Sequence, residues 1–128
     1  MTVPGDDEPR GPLSVAHPFD ITAVKERLAA GSGGYEIVHW SPGLELGVYV
    51  LVAPEPDRQQ PHVDDEVYVV LDGRGVLEVE GESVEVSAGK AAFVPAGADH
   101  RFTGYEGLSV LVVFSRPHEI AGETITTS

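Results

Sequence analysis

Two short segments of this chain carry side chains that could together bind a metal ion. The first runs from Gln60 through His62 to Glu66, and the second ends in Pro95-Ala96-Gly97-Ala98-Asp99-His100. Two imidazoles and one carboxylate that leave coordination positions open form the donor set of a non-haem iron centre. The residue types therefore predict a single metal site built by His62, Glu66 and His100.

The first segment can bring its donors to one ion only if the backbone bends. Gln60, His62 and Glu66 are all even-numbered, so in an extended chain their side chains leave from the same side. His62 and Glu66 would then lie about 13 Å apart, which is too far for one ion. We therefore expect a bend at residues 63–65, just before a strand that begins at Glu66. The same alternation turns Tyr68 inward, where its phenol could line a pocket.

Strands with a two-residue period must position these side chains. Fifteen glycines and ten prolines suit a chain with many turns, and valine-rich runs lie between them. The periodicity predicts strands at 35–40, 44–52, 66–71, 75–80, 82–86, 91–94, 100–103 and 108–114, with a turn at Asp72-Gly73-Arg74-Gly75. Short strands at this spacing are typical of an all-β sandwich or barrel.

One helix candidate precedes the strands. Asp20 can cap its beginning and Gly31 can end it, while Ile21, Val24 and Leu28 share one face. Such a short helix is stable only if it docks on the body of the protein. We therefore expect one short N-terminal helix packed on the barrel.

The length of 128 residues fits one domain with a single core. The polar, proline- and glycine-rich residues 1–17 are predicted to form a flexible arm. The predicted domain covers residues 18–118, with its core at 35–115, and residues 119–128 form a tail.

Composition excludes several classes of function. Eight basic and 21 acidic residues give a net charge of −13, which would repel a nucleic-acid backbone. The chain contains no cysteine, so thiolate metal sites and cysteine nucleophiles are excluded. No apolar run approaches the roughly 18 residues of a membrane span, and no signal peptide is evident. These features predict a cytoplasmic protein whose partner is a small molecule, with neither membrane nor nucleic acid involved.

The two segments resemble the two sequence motifs of the cupin superfamily. Positions of the first motif are held by Gln60, His62, Glu66 and Gly73, and those of the second, at every spacing, by Gly89, Pro95, Gly97 and His100. The resemblance covers about residues 35–115. It implies a double-stranded β-helix, or jelly-roll barrel, that is commonly a homodimer and holds one divalent metal ion.

The chain departs from the cupin pattern at three positions. Pro54 and Gly104 replace a glycine and an asparagine that the family keeps only loosely. Gln60 replaces the first of three metal-binding histidines, and its neutral amide oxygen is a weaker donor than imidazole. The resemblance thus implies a divalent transition metal, iron before manganese, nickel or zinc, held by His62, Glu66 and His100. Gln60 is either a weaker fourth ligand or a residue of the surrounding pocket.

Three functional hypotheses follow from this site. The first is an Fe(II)-type dioxygenase acting on a small organic substrate, with Glu66 doubling as a proton acceptor and Tyr68 offering a phenol to the pocket. The second is a non-catalytic cupin that binds or senses a small ligand. The third is a metal-assisted isomerase, epimerase or lyase that needs no oxygen. Asp64 remains a substitute ligand if Glu66 points away from the site.

Overall fold

The computed structural model describes residues 18–53, 57 and 63–115, so Gln60 and His62 lie outside the described residues. The elements, in chain order, are α1 (Ile21–Ala30), β1 (Gly34–Ser41), β2 (Leu44–Leu51), β3 (Asp65–Val79), β4 (Glu82–Ser87), β5 (Ala91–Val94) and β6 (His100–Ser115). The strands pair antiparallel in the order β1-β2-β6-β3-β4, and β5 pairs with the first half of β3. This is the expected all-β jelly roll with one short helix.

Strands β3 and β6 form the central strand pair of the sheet, and each is longer than the sequence predicts. They pair with each other along most of their length, but the register shifts repeatedly between Val70 and Val76. Tyr68 lies before these shifts, and Phe102 lies on the stretch of β6 that pairs with β3 after them. The ring centroids of the two residues are 4.7 Å apart. The two halves of the strand pair therefore face each other, as the layers of a jelly roll do.

The predicted turn at Asp72-Gly73-Arg74-Gly75 is wrong, because β3 continues through it as a bulged strand. Gly73 adopts a φ of 79°. A Cβ atom there would lie 2.2 Å from the backbone oxygen of Gly107 on β6. Glycine is therefore required at position 73 because the backbone is left-handed there and because β3 and β6 approach each other closely. In the sequence, a glycine in such a bulge looks the same as a glycine in a turn. The predicted strands 100–103 and 108–114 are likewise joined into one strand, β6.

Helix α1 begins and ends where the sequence predicts. The side chain of Asp20 accepts a hydrogen bond from the backbone N–H of Ala23 at 2.9 Å, and the N–H of Gly31 donates to the carbonyl of Leu28 at 3.1 Å. These contacts satisfy polar groups that a helix end would otherwise leave without partners. The helix packs on β1 and β2. Within the described ranges, no helix has the length and apolar character needed to span a bilayer.

The two faces of β2 have different surroundings, and only one of them looks into the barrel. Val48 and Val50 are buried on one face, outside the main core cluster, and α1 packs on this strand. Glu45 and Tyr49 alternate with them and lie on the face that looks into the barrel. The interior is filled mainly by a cluster of apolar and aromatic side chains from the other strands, which includes Tyr68, Val70, Leu77, Val94, Phe102, Val110 and Val112. The more polar face of β2 therefore faces the inside.

Candidate functional site

Glu66 and His100 meet inside the barrel. Glu66 lies near the start of β3, whereas His100 begins β6 and pairs with Val79 at the far end of β3. Folding the strand pair over brings His100 Nε2 to 3.2 Å from Glu66 Oε1. The two residues are only 1% and 3% exposed. Two of the three predicted metal ligands thus converge in a place that water does not reach.

A tight turn sets the position of His100. The N–H of Ala98 donates to the carbonyl of Pro95 at 3.1 Å, which closes the turn that the second motif predicts. Asp65 Oδ1 accepts a hydrogen bond from the N–H of Ala96 at 2.9 Å. Asp65, which lies in the bend expected at residues 63–65, therefore ties the start of β3 to the turn before His100.

Glu80 holds the same turn from its other end. Its side-chain Oε2 accepts from the N–H of Asp99 at 2.6 Å, and its own N–H donates to the carbonyl of Asp99 at 2.8 Å. Asp99 is thus engaged through its backbone, directly beside His100. The turn is fixed at both ends, so the imidazole that follows it is preorganised.

The protonation of His100 follows from its two hydrogen-bonding partners. Its Nδ1 lies 2.9 Å from the carbonyl oxygen of Ala98, which can only accept, so Nδ1 carries a proton. Nε2 is therefore the atom that faces Glu66. Burial lowers the pKa of His100, but its hydrogen bonds with Glu66 and Ala98 and the charges of Glu66 and Asp57 raise it by more. The resulting pKa lies above the ordinary value of 6.5, because the carboxylate stabilises the imidazolium.

Tyr68 lies directly behind the histidine. Its ring is 6.2 Å from that of His100 and 4.7 Å from that of Phe102, and it is 1% exposed. The inward direction predicted for Tyr68 is confirmed. Its position supports the imidazole ring by packing, and its role in catalysis stays a prediction.

A small cavity opens beside Glu66. It has a volume of about 220 Å³, and its lining comes from four strands: Tyr35, Tyr49, Glu66, Val112 and Phe114. Strand pairing explains this set, because Glu66 lies opposite Phe114, which in turn lies opposite Glu45. The cavity is therefore an apolar space with a buried carboxylate at its inner end.

Tyr35 forms the outer wall of this cavity, and its side chain is held in place. Its hydroxyl donates to Glu45 Oε2 at 2.8 Å, and its ring meets that of Tyr49 edge-on at 6.2 Å. A Cβ atom on Gly47 would lie 2.2 Å from the ring and hydroxyl of Tyr35. Gly47 is therefore the residue that lets the tyrosine lie flat across β2. Only the register of β1 on β2 reveals this contact, so sequence reasoning did not find it.

A second buried carboxylate, Asp57, joins Tyr49 on β2 to Phe102 near the start of β6. Tyr49 Oη donates to Asp57 Oδ1 at 2.7 Å, and the N–H of Phe102 donates to Asp57 Oδ2 at 2.7 Å. Burial raises the pKa of Tyr49, as do its hydrogen bond to Asp57 and the nearby negative charges, so the phenol keeps its proton. We call the contacts of Asp57 with Tyr49 and Phe102 the Asp57 latch. An acidic residue in a proline-rich loop gives no sequence signal for such a role.

The remaining predicted site residues have different outcomes. Gln60 and His62 lie outside the described residues, so their roles stay predictions. Among the residues that the structure describes, no three His, Cys, Asp or Glu side chains gather around one point. His39 contacts Ser41 Oγ at 3.1 Å and the ring of Phe19, as a structural histidine would.

Comparisons with known proteins agree with this architecture. A solved structure described as an RmlC-like cupin from Shewanella frigidimarina superimposes with a TM-score of 0.60, covering 70% of this chain and 80% of that one at 21% identity. An acireductone dioxygenase from Sulfurihydrogenibium is 45% identical over 49 residues, which are 35% of this chain and 27% of that enzyme. The first match shows a shared fold, and the second is a local likeness.

Two further comparisons assign the family. An uncharacterized protein of Streptomyces coelicolor is 39% identical over 100 residues, which cover 77% of this chain and 95% of that protein. The family model described as "Cupin domain" matches residues 48–114, from the middle of β2 almost to the end of β6. This range contains Glu66, His100 and the strands that bring them together, and on this basis the chain belongs to the cupin domain family.

Proposed function

We propose that this cupin is a metal-dependent enzyme, a dioxygenase of the Fe(II) type that acts on a small organic substrate. The observation that carries the proposal is the meeting of Glu66 and His100 at the inner end of an apolar cavity. In the proposal these two residues hold the metal ion together with His62. Gln60 serves as a weak fourth ligand or lines the pocket.

The described donors fit a first-row divalent metal ion. The hydrogen bond from His100 Nδ1 to Ala98 leaves Nε2 as the nitrogen available for coordination and fixes the plane of the ring. A carboxylate oxygen lies next to that nitrogen, and carboxylate and imidazole together suit iron, manganese, nickel and zinc. The two donors supply part of a facial set, so the proposal requires His62 as the third ligand.

The protein side chains would divide the remaining work. A bound ferrous ion would supply Lewis acidity and a coordination position for dioxygen. Glu66 would accept a proton from the substrate, and Tyr68 would hold the imidazole of His100 in place from behind. Tyr35, Phe114 and the neighbouring apolar side chains would exclude water and orient the substrate against Glu66.

Two further observations support an enzyme with a small substrate. The local likeness to a protein named acireductone dioxygenase favours oxygen chemistry as an analogy, since it spans only about a third of this chain. The cavity of about 220 Å³ is smaller than the roughly 300–1,000 Å³ of pockets that bind drug-sized ligands. The proposal therefore concerns molecules of about one ring.

A non-catalytic cupin that binds or senses a small ligand is the second candidate. One observation favours it: Glu66 and His100 contact each other, so a protonated His100 can compensate the charge of Glu66 without a metal ion. A metal-assisted isomerase, epimerase or lyase would use the same donors and would turn over without oxygen. Anaerobic turnover would therefore distinguish this third class from a dioxygenase.

Elemental analysis of the purified protein and of its His62→Ala variant tests the metal site. We expect close to one iron, or another first-row divalent ion, per chain in the wild type and almost none in the variant. His39→Ala is the matched control, because it removes an imidazole that contacts Ser41 and Phe19, and it should keep the metal. Equal metal content in the wild type and His62→Ala would exclude His62 as a ligand.

Oxygen uptake tests the reaction class. Protein loaded anaerobically with Fe(II) should consume oxygen when a catechol, an enediol or a β-diketone is added. The His62→Ala variant should consume none under the same conditions. Metal-loaded protein that shows no uptake across these compounds would favour the ligand-binding candidate.

A further inference from the structure

The size of the cavity beside Glu66 is fixed by a side chain that is held on three sides. Tyr35 donates its hydroxyl to Glu45, meets Tyr49 edge-on, and lies over Gly47, where a Cβ atom would collide with it. Two of the three contacts, those with Tyr49 and Gly47, are made by the ring itself, so the ring keeps them when the hydroxyl is removed. Together the three contacts keep a tyrosine that is 39% exposed at one position over the cavity mouth.

The charged groups around the cavity also restrict which ligands can bind. Glu66 is the acidic residue of the described lining, and Glu45 lies outside that lining, where it accepts the hydrogen bond of Tyr35. Phe114 on β6 pairs with both, so the backbones of Glu45 and Glu66 are about two strand spacings, or roughly 10 Å, apart. The described lining of the cavity contains no basic side chain. A ligand with its own carboxylate or phosphate would have to lose water beside the carboxylate of Glu66 without meeting an opposite charge in the described lining.

The floor of the cavity is apolar. Val112 and Phe114 form it, and the rings of Tyr35 and Tyr49 face them across the cavity. Such a surface gains free energy from a ligand that buries flat hydrocarbon, at about 25 cal/mol for each Å² removed from water. A volume of about 220 Å³ accommodates a single ring with one short substituent more readily than two fused rings.

We propose that this pocket selects uncharged ligands built on one ring, and that Tyr35, held by Glu45 over Gly47, is the residue that sets the size limit. The inference deepens the proposed function, since it names the substrate class of the same site. It depends only on the cavity walls, so it can be tested with compounds that do not chelate a metal ion.

Titration of the full-length purified protein with three probes, followed by the amide resonance of Gly47, tests the charge and size limits. The probes are 4-methylphenol, 4-hydroxybenzoate and 2-naphthol. The first two share a ring and differ in charge, whereas the third is uncharged and larger. We expect 4-methylphenol to bind at least roughly tenfold more tightly than either of the others, a difference of about 1.4 kcal/mol.

Variants at the wall identify the residue responsible. Tyr35→Ala should bind 2-naphthol at least as tightly as 4-methylphenol, whereas Tyr35→Phe, which keeps the ring, should preserve the order of the wild type. Trp40→Ala is the matched control: Trp40 is an exposed aromatic residue on the same strand, outside the cavity lining, and its loss should leave the order unchanged. Unfolding temperatures of all three variants confirm that each is folded.

The outcomes separate this inference from the proposed function. Equal affinity for 4-methylphenol and 4-hydroxybenzoate, or a probe order that Tyr35→Ala does not change, overturns the inference even if oxygen uptake is found. The expected probe order in a protein that holds no metal ion overturns the dioxygenase proposal and leaves the inference standing.

Discussion

Two buried carboxylates in this barrel have opposite surroundings. Asp57 accepts hydrogen bonds from a phenol and a backbone N–H, both at 2.7 Å, and these donors stay protonated near neutral pH. Glu66 instead faces His100 Nε2 at 3.2 Å, a partner that can gain or lose a proton. Asp57 is therefore fixed in a structural contact, whereas Glu66 belongs to a pair whose proton a metal ion can replace.

The largest expected difference between the two carboxylates concerns metal affinity. His100→Ala removes a ligand from the Glu66 pair and should lower the affinity for Fe(II) or Zn(II) by more than about 100-fold, because even residues that only orient ligands contribute 10- to 100-fold. Asp57→Asn should change the affinity by less than about tenfold, because the amide keeps an oxygen that can accept one of the two hydrogen bonds. Isothermal titration with the metal measures both.

The opposite outcome would reverse the assignment of the two acids. If Asp57→Asn lost as much metal affinity as His100→Ala, the Asp57 latch would be part of the metal site. Circular dichroism of both variants is the control that the barrel is intact.

The second expected difference concerns stability. Asp57→Ala leaves the buried hydroxyl of Tyr49 and the N–H of Phe102 without their acceptor, at a cost of about 1–3 kcal/mol each, so the free energy of unfolding should fall by about 2–6 kcal/mol. Glu66→Gln should cost less, because its amide can still hydrogen-bond with the imidazole of His100. Urea unfolding in the presence of a chelator measures both values, and a larger loss for Glu66→Gln would contradict the comparison.

Part of the fold and of the candidate site can be predicted from local sequence motifs, whereas the rest depends on strand register. The second motif predicts the turn and His100 because its residues are local in the chain, and the caps of α1 are local for the same reason. Gly73 was misread as a turn residue, since a bulge and a turn both need a positive φ. The contact between Tyr35 and Glu45 depends on how β1 pairs with β2, which periodicity does not specify.

The two faces of β2 are another feature that the sequence predicts only in part. Leu44, Leu46, Val48, Val50 and Val52 share one face in the sequence, and Glu45 and Tyr49 share the other. In the structure Val48 and Val50 are buried outside the main core cluster, whereas Tyr49, on the more polar face, packs against that cluster and lines the cavity. Hydrophobic alternation identifies the two faces of a strand, but a binding cavity makes the interior face the more polar one.

The third expected difference concerns pH. The pKa of His100 is raised above 6.5, so without metal its pair with Glu66 stabilises the fold fully below about pH 6.5. That stability is lost as the pH rises through the pKa of His100 in the folded protein. The pKa of Tyr49 is also raised, from an ordinary value of 10.0, so the Asp57 latch is constant up to about pH 10 and weakens only above it.

Two variants measure this difference. The gap in unfolding temperature between the wild type and His100→Gln should shrink as the pH rises from about 5.5 to 8.5, because only the wild type loses the ion pair. The gap between the wild type and Tyr49→Phe should stay constant over the same range. Parallel slopes for both variants would mean that His100 does not lose the proton of its pair with Glu66 over this pH range.

The smallest expected effect comes from restoring the histidine that the cupin motif has at position 60. Gln60→His offers an imidazole in place of a neutral amide oxygen and should tighten Fe(II) binding by roughly tenfold, which corresponds to about 1.4 kcal/mol. Gln59→His is the matched control, because it adds the same imidazole at the neighbouring position of the chain. Competition with a chromogenic chelator measures both variants. Tighter binding in the position 60 variant alone would make that residue a neighbour of the metal ion, while equal affinities in all three proteins would place it out of reach.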